Sequence, residues 1–295
     1  MGTISKQSDS DTYNNQTITT MIKICVLSYQ RPTDVYALDN ISPELQKKYF
    51  WLCVRDEEVE EYKKKYPHCN YLNLGTNFGS RGVVETRQRI NEMMSGKILV
   101  LDDDITLHKT KIDIRPYKDE PFHYMTYDND LTTNDILEEL LEDIEVLMEK
   151  TPHGSITHHS FARDARKYYP NVNNKVALLA VWFDLDVIDT NEISYRHGPE
   201  FIEDVYMSCR FFELGYDLIK VYNWSIRNKK GGSQSGGCNA HPNRGKAHTE
   251  SASWLASNYP QWCNLKPSKV YSKATGMEVN TVSCKLTRKT NMPLF

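Results

Sequence analysis

Three consecutive carboxylates, Asp102, Asp103 and Asp104, close the apolar run KILVL at residues 97–101. Two unit charges ~4 Å apart repel by about 1 kcal/mol in water and about 4 kcal/mol near a protein surface. Three at one strand end call for a counter-charge, and a divalent cation held by oxygen ligands supplies it. The competing reading is that the aspartates cap a turn by accepting backbone N–H bonds. A second acidic pair, Glu203 and Asp204, heads the segment PEFIEDVYMSCRFFELGYDLIKV at residues 199–221. Phe201, Val205, Cys209 and Phe212 recur there at helical spacing and Gly215 suits a left-handed helix end, so both acids fall in the first turn. They either offset the helix dipole, worth ~0.3–1 kcal/mol, or supply a carboxylate that takes a proton from an attacking hydroxyl.

Other chemistry-bearing residues are less specific. The segment NKKGGSQSGGCNAHPNRGKAH at residues 228–248 is dense in Gly, Ser and basic residues and contains His241 and His248. It reads either as a linker or as a lid whose backbone N–H groups and cations close over a phosphorylated ligand. His153, His158 and His159 fit no standard metal spacing and read as a solvated loop or strand face.

Elements that position these residues alternate along the chain. Apolar strands are expected at residues 22–28, 49–56, 71–74 and 97–101, with Pro32 and Thr33 marking a helix entry after the first. The helix EEVEEYKKKY follows the second strand and the helix VVETRQRINEMM follows the third. Strand–helix alternation implies parallel pairing in a doubly wound α/β sheet, where ligands collect at the carboxyl ends of strands. Ser28, Asp56 and residues 102–104 all fall at such ends. An irregular stretch is expected from Thr106 to Asp130. A core helix with Thr133 as its cap follows, then further strands in GSITHHSF and KVALLAVWFDLDVI and a short amphipathic helix in SASWLASNYPQW.

Composition sets the frame. At 295 residues the chain has length for a substantial core, and its 39% hydrophobic and 25% charged content is ordinary for a globular protein. A net charge of −3 excludes a global positive field directed at nucleic acid or anionic membrane, while leaving room for a local basic patch. Seven cysteines without a Cys-x-x-Cys pair argue for reduced thiols in a cytoplasmic setting. Residues 1–20 lack a basic start and an apolar stretch and read as a disordered leader. No window suits a membrane span. The expected organisation is one domain over residues 21–295, with a nucleotide half at 21–106, an acceptor half at 107–227 and a lid and C-terminal segment at 228–295.

Read in order, these signals resemble the GT-A class of nucleotide-sugar glycosyltransferases, especially its inverting family-two-like branch. VLSYQRP at residues 26–32 is similar to the family's strand ending in Ser/Thr-Tyr-Asn-Arg-Pro, with Gln30 in place of Asn. NFGSRGVVETRQRI, residues 77–90, resembles its Arg-bearing helix but departs from Ala-Arg-Asn-x-Gly. LVLDDDI matches Asp-x-Asp, and residues 200–221 look like its Glu-Asp helix with the following Gly-Tyr and strand. The resemblance implies that Ser28, Tyr29, Gln30, Arg31 and Asp56 hold the nucleoside, commonly uridine, and adds Arg81, Arg87, Asp102 and Asp103 to the donor-binding set. It implies that Asp102 and Asp104 bind Mn²⁺ or Mg²⁺ bridging the diphosphate of a UDP-sugar. Asp204 is implied as general base with Glu203 beside it, and His241 or His248 as a further ligand.

Within that class the chain most resembles phage-type TET-associated glycosyltransferases, which implies a hydroxymethylated pyrimidine in DNA as acceptor. RNKKGG, NRGK and KLTRK supply basic residues for phosphates, and Tyr168, Tyr169, Trp224 and Trp254 are candidates to stack on an extruded base. A glycan or protein acceptor, and a sugar-phosphate nucleotidyltransferase, are the alternative readings. The latter more typically carries a Gly-rich loop after the first strand, which SYQRPTD lacks.

Overall fold

Apolar side chains that alternate between two faces build a central sheet covered on both sides. The computed structural model describes residues 21–79, 81–113, 124–128, 130–158, 171–173, 179–228, 243–272 and 277–286. Strands β1 (Lys23–Leu27), β2 (Phe50–Val54), β3 (Asn70–Asn73) and β4 (Lys97–Asp102) pair in parallel in the order β3-β2-β1-β4. The sheet continues from β4 through β9 (Ala180–Asp184), β7 (His153–His158), β10 (Ile219–Asn228), β5 (Ile105–Asp113) and β6 (Tyr124–Tyr127). Strand β8 (Asn171–Asn173) also pairs with β10. Because β9 is antiparallel to both β4 and β7, strands β7 and β10 regain the direction of β4. The carboxyl ends of β1, β2, β4, β7 and β10 therefore share one edge, and the site forms there.

One face of the sheet, with Ile24, Val26, Leu52 and Leu99, is covered by α1 (Pro43–Tyr49), α2 (Val59–Lys65) and α4 (Thr133–Met148). The other, with Cys25, Cys53, Ile98 and Val100, is covered by α3 (Gly82–Met93) and α5 (Glu203–Glu213). This is the doubly wound α/β class expected from the sequence. Gly154 lets Trp182 lie against β7: a Cβ there would stand 2.1 Å from Trp182 Cζ2 and 2.4 Å from the Ile219 carbonyl. A separate hairpin, β11 (Cys263–Ser272) and β12 (Met277–Leu286), pairs antiparallel. Together with α6 (Arg244–Asn258) it joins α5 through Val205, Cys209, Ala252, Leu255 and Cys263. Cys25, Cys53, Cys69, Cys209 and Cys263 are buried and carry no disulfide. Among the described residues no helix is long and apolar enough to cross a membrane.

Several expectations need correcting. Pro32 and Thr33 sit in a turn; the first α-helix starts at Pro43, where Ser42 Oγ accepts the Leu45 N–H at 3.3 Å. The cap of α4 is Thr132, in a reciprocal capping box with Asp135, one residue before the expected Thr133. β5 extends from Ile105 to Asp113 where an irregular stretch was expected, pairing antiparallel with β10 and burying Ile105 and Leu107. His153 is no solvated residue: it is fully buried, stacks on Phe183 and Phe211 with centroids 4.4 and 4.2 Å away, and its Nδ1 lies 2.8 Å from the Trp182 carbonyl. Burial holds its imidazole neutral, with a pKa lowered to about 3. Trp224 is buried with Nε1 donating to Asp143 at 2.7 Å, which removes it as a base-stacking surface. RGKAH, residues 244–248, is not loop but the start of α6, with Asn243 at its N-cap. His159, Tyr168, Tyr169 and His241 lie outside the described residues, as do the leader and most of the Gly-rich segment.

Candidate active site

Strand parity decides which acid faces the site. On β4, Ile98 and Val100 point to the α3–α5 face while Leu99 and Leu101 point to the other. Asp102 follows the first pair and Asp103 the second. Asp102 Oδ1 accepts from Arg87 Nη2 at 2.8 Å, and Arg87 Nε donates to Glu203 Oε1 at 3.1 Å. Arg87, buried on α3, thus ties the strand end to the first turn of α5. Burial alone would lower its pKa; the carboxylates of Asp102 and Glu203 outweigh that and hold it above the usual arginine value.

Asp103 turns inward. It accepts from Ser28 Oγ at 2.6 Å and pairs with Arg31 Nη1 at 2.5 Å, while Tyr62 OH donates to Ser28 Oγ at 2.8 Å. Ser28, Arg31 and Asp103 therefore spend these contacts on one another, fastening the turn after β1 to the turn after β4. Asp104, beside them, accepts from Asn228 Nδ2 at 3.2 Å at the end of β10. Burial, and for Asp104 the charge of Asp102, push the carboxyl groups of Asp103 and Asp104 up to about 6.

Ser28, Arg31, Arg87, Asp102, Asp103 and Asp104 line one cleft of about 550 Å³, together with Tyr29, Arg55, Arg81, Glu200, Glu203, Asp204, Arg244 and His248. Asp204 Oδ1 accepts the Val205 N–H at 2.7 Å. Burial first, and then Glu203, raise its pKa to about 7, the range in which a base both accepts and holds a proton well near neutrality. Ile202, just before these acids, has the left-handed φ of 59°, unusual for a β-branched residue. His248 Nδ1 lies 3.0 Å from the Val282 carbonyl. Donation there leaves Nε2 as the lone-pair nitrogen, the arrangement by which ligating histidines are oriented. Burial lowers its pKa, keeping it neutral.

Not every expected residue arrives. Gln30 and Asp56 do not line the cleft. The Gln30 amide N–H donates to Glu58 Oε1 at 2.7 Å, and Asp56 Oδ1 accepts the Gly75 N–H at 2.9 Å, tying β2 to the turn after β3. Arg81 lines the cleft, but its Nη1 and Nη2 donate to the carbonyls of Arg196 and Gly198 at 3.0 and 2.6 Å, pinning the loop before α5. Sequence reasoning missed Arg55, although parity places it on the face of Cys53, where α3 begins. It also missed Asn228 and Glu200, which carry no signal of their own.

Among the described residues no three His, Cys, Asp or Glu side chains are gathered to hold a metal. The oxygen donors of Asp102 and Asp104 nevertheless suit a hard cation that takes much of its shell from water and substrate phosphate, as Mg²⁺ commonly does. The raised pKa of Asp104 marks a charge the protein leaves undercompensated.

An α/β sheet with two carboxylate stations on its carboxyl edge is the arrangement that the resemblance to nucleotide-sugar glycosyltransferases calls for. Residues 22–237 match the family model of the TET-associated glycosyltransferases, and the chain belongs to that family. Among solved structures, it is similar to glucosyl-3-phosphoglycerate synthase from Mycobacterium tuberculosis in complex with Mn²⁺, uridine diphosphate and phosphoglyceric acid. That TM-score is 0.45 at 7% identity, covering 90% of this chain and 89% of that one. UTP-bound UGPase from Acinetobacter baumannii gives 0.38 at 8% identity over 70% and 88% of the two chains. The family match, not these distant likenesses, carries the assignment. No curated protein sequence matches the chain.

Proposed function

We propose that this glycosyltransferase moves a sugar from a UDP-sugar, with Mn²⁺ or Mg²⁺, to a hydroxyl on a hydroxymethylated pyrimidine in DNA. The observation that carries the reading is the Arg87 bridge, which brings the end of β4 and the first turn of α5 into one cleft. Asp102 and Asp104 would hold the cation, with the neutral His248 as a further ligand. When bound there, such a cation would supply positive charge against the charge that builds on the leaving diphosphate. Asp204 takes the proton of the acceptor hydroxyl as its oxygen attacks the anomeric carbon, and the bond to the diphosphate breaks on the opposite side, inverting the configuration. Glu203, locked by Arg87, fixes the helix turn from which Asp204 projects and helps hold its carboxyl pKa up.

Support for a polyanionic acceptor comes from the exposed Lys246 of α6 and the exposed Lys266, Lys269 and Lys285 of the hairpin. Neutralising phosphates makes binding fall with salt. Incubation with UDP-sugars, Mn²⁺ and hydroxymethylated duplex DNA, followed by mass spectrometry of the nucleosides, tests the whole reading. A hexose or pentose adduct that declines steeply between 50 and 200 mM salt is expected, on the order of 10-fold or more. Donor hydrolysis with no DNA adduct, and an adduct on glycan or protein instead, overturns the acceptor.

A further inference from the structure

Arg55 follows β2 and lines the cleft without an acceptor. Other arginines of this region are committed: Arg31 to Asp103, Arg81 to two backbone carbonyls, Arg87 to Asp102 and Glu203. Arg89 is bonded to Glu85 and to the carbonyls of Leu74 and Thr76. The Arg55 guanidinium instead lies 3.7 Å from the Tyr29 ring centroid and 4.3 Å from that of Phe78. Among the described residues its side chain has no hydrogen-bond acceptor and no ion pair. Gly82 leaves room for it, since a Cβ at that position would stand 3.2 Å from Arg55 Nη2. Two aromatic contacts hold the fork flat while its five N–H donors stay uncommitted.

Strand order gives the fork its place along a ligand. The sequence β2-β1-β4 sets the end of β2 two strands from the acids that end β4, or roughly 10 Å at the usual ~4.8 Å spacing. A nucleotide whose diphosphate lies at Asp102 and Asp104 spans β1 with its ribose and brings its base to β2. There the cleft wall offers Tyr29 and Arg55, whereas Asp56 points its carboxylate at Gly75.

We infer that Arg55, not Asp56, reads the nucleobase of the donor, donating to ring carbonyl oxygens and so selecting a base such as uracil over adenine. A guanidinium only donates, and it matches acceptor-bearing edges while meeting the amino group of adenine with no acceptor to offer. This rests on the nucleotide-sugar reading of the cleft and specifies which end of the donor confers selectivity.

Calorimetric titration of uridine, UDP and ADP in the presence of Mn²⁺ tests it, on the wild type, Arg55→Met and Arg55→Lys. Arg55→Met is expected to weaken uridine and UDP by a similar factor, about 10- to 100-fold for a lost bidentate contact, with ADP unchanged. Arg55→Lys retains the charge but not the fork, and should recover less than half of that loss on a logarithmic scale. Equal losses for UDP and ADP with uridine untouched would place Arg55 on the phosphates and overturn the inference. UDP binding unchanged in both variants overturns it too, while leaving the donor reading intact. A wild type that binds no nucleoside diphosphate overturns the donor reading itself, and this inference with it.

Discussion

Arg87 Nη2 stands 2.8 Å from Asp102 Oδ1, and the same guanidinium reaches Glu203 at 3.1 Å. One buried cation thereby holds two acidic elements that would otherwise repel, from a strand and a helix 101 positions apart in sequence (203 minus 102). Replacing it leaves two largely buried carboxylates uncompensated. Arg87→Met is expected to cost about 3–5 kcal/mol of stability, read from urea unfolding. Arg87→Lys should recover part of this, because an ammonium carries the charge but cannot reproduce the fork.

Asp204→Asn should separate chemistry from binding. Loss of a general base lowers kcat by ~10²–10⁴, with the affinity for UDP and Mn²⁺ held within about twofold. In the wild type the base works deprotonated, so kcat/KM rises with pH through a pKa near 7, the value to which burial and Glu203 lift this carboxyl. A profile flat from pH 5.5 to 8 would remove Asp204 from that role.

Asp104 trades stability for binding. Its folded pKa, raised to about 6, lies above the unfolded value near 4, so the folded state favours the protonated acid and loses stability as pH climbs from about 4 to 6. Asp104→Asn should match the wild type in unfolding free energy at pH 4 and exceed it by up to about 3 kcal/mol at pH 7.5. The same variant should lose the thermal stabilisation that UDP with Mn²⁺ confers on the wild type.

Removal of divalent ions tests the oxygen set directly. Chelation with EDTA should abolish transfer, and Mn²⁺ or Mg²⁺ should restore it. His248→Phe should raise the Mn²⁺ concentration giving half-maximal rate by about 10-fold, the low end of what loss of metal-site support costs. Full activity in EDTA would refute the role of the two aspartates.

Close packing under the sheet gives an independent check on the fold. Gly154→Ala drives a methyl against the Trp182 ring and the Ile219 carbonyl, which are 2.1 and 2.4 Å from the added carbon. A loss of about 1–3 kcal/mol or more is expected, measured by chemical denaturation, with no change in the pH dependence of kcat/KM in the folded fraction.

Much of this architecture was legible as pattern. The strands ending at Leu27, Val54 and Asp102, the helix starting at Glu203 and the glycine that ends it, Gly215 with φ of 84°, follow from apolar periodicity and from the few residues that tolerate such a conformation. β5 was written in the sequence too, since Ile105 and Leu107 alternate with polar residues, but the acidic turn before it masked the signal. His153 shows the converse: a residue type that suggested solvent is buried because Phe183, Phe211 and the Trp182 carbonyl enclose it.

What the chain determined by itself was local: which runs form strands, where acids gather, and that those acids end elements on a common edge. Which acid does what was decided in three dimensions. Asp102 and Asp103 are neighbours of identical chemistry, yet a half-turn of pleat sends one to Arg87 and Glu203 and the other to Ser28 and Arg31. Arg55 gained its place from β1 and α3, and His248 its tautomer from Val282, contacts between segments far apart along the chain. Local propensity acts over a few residues, while the charge state and aim of a side chain depend on what distant segments fold against it.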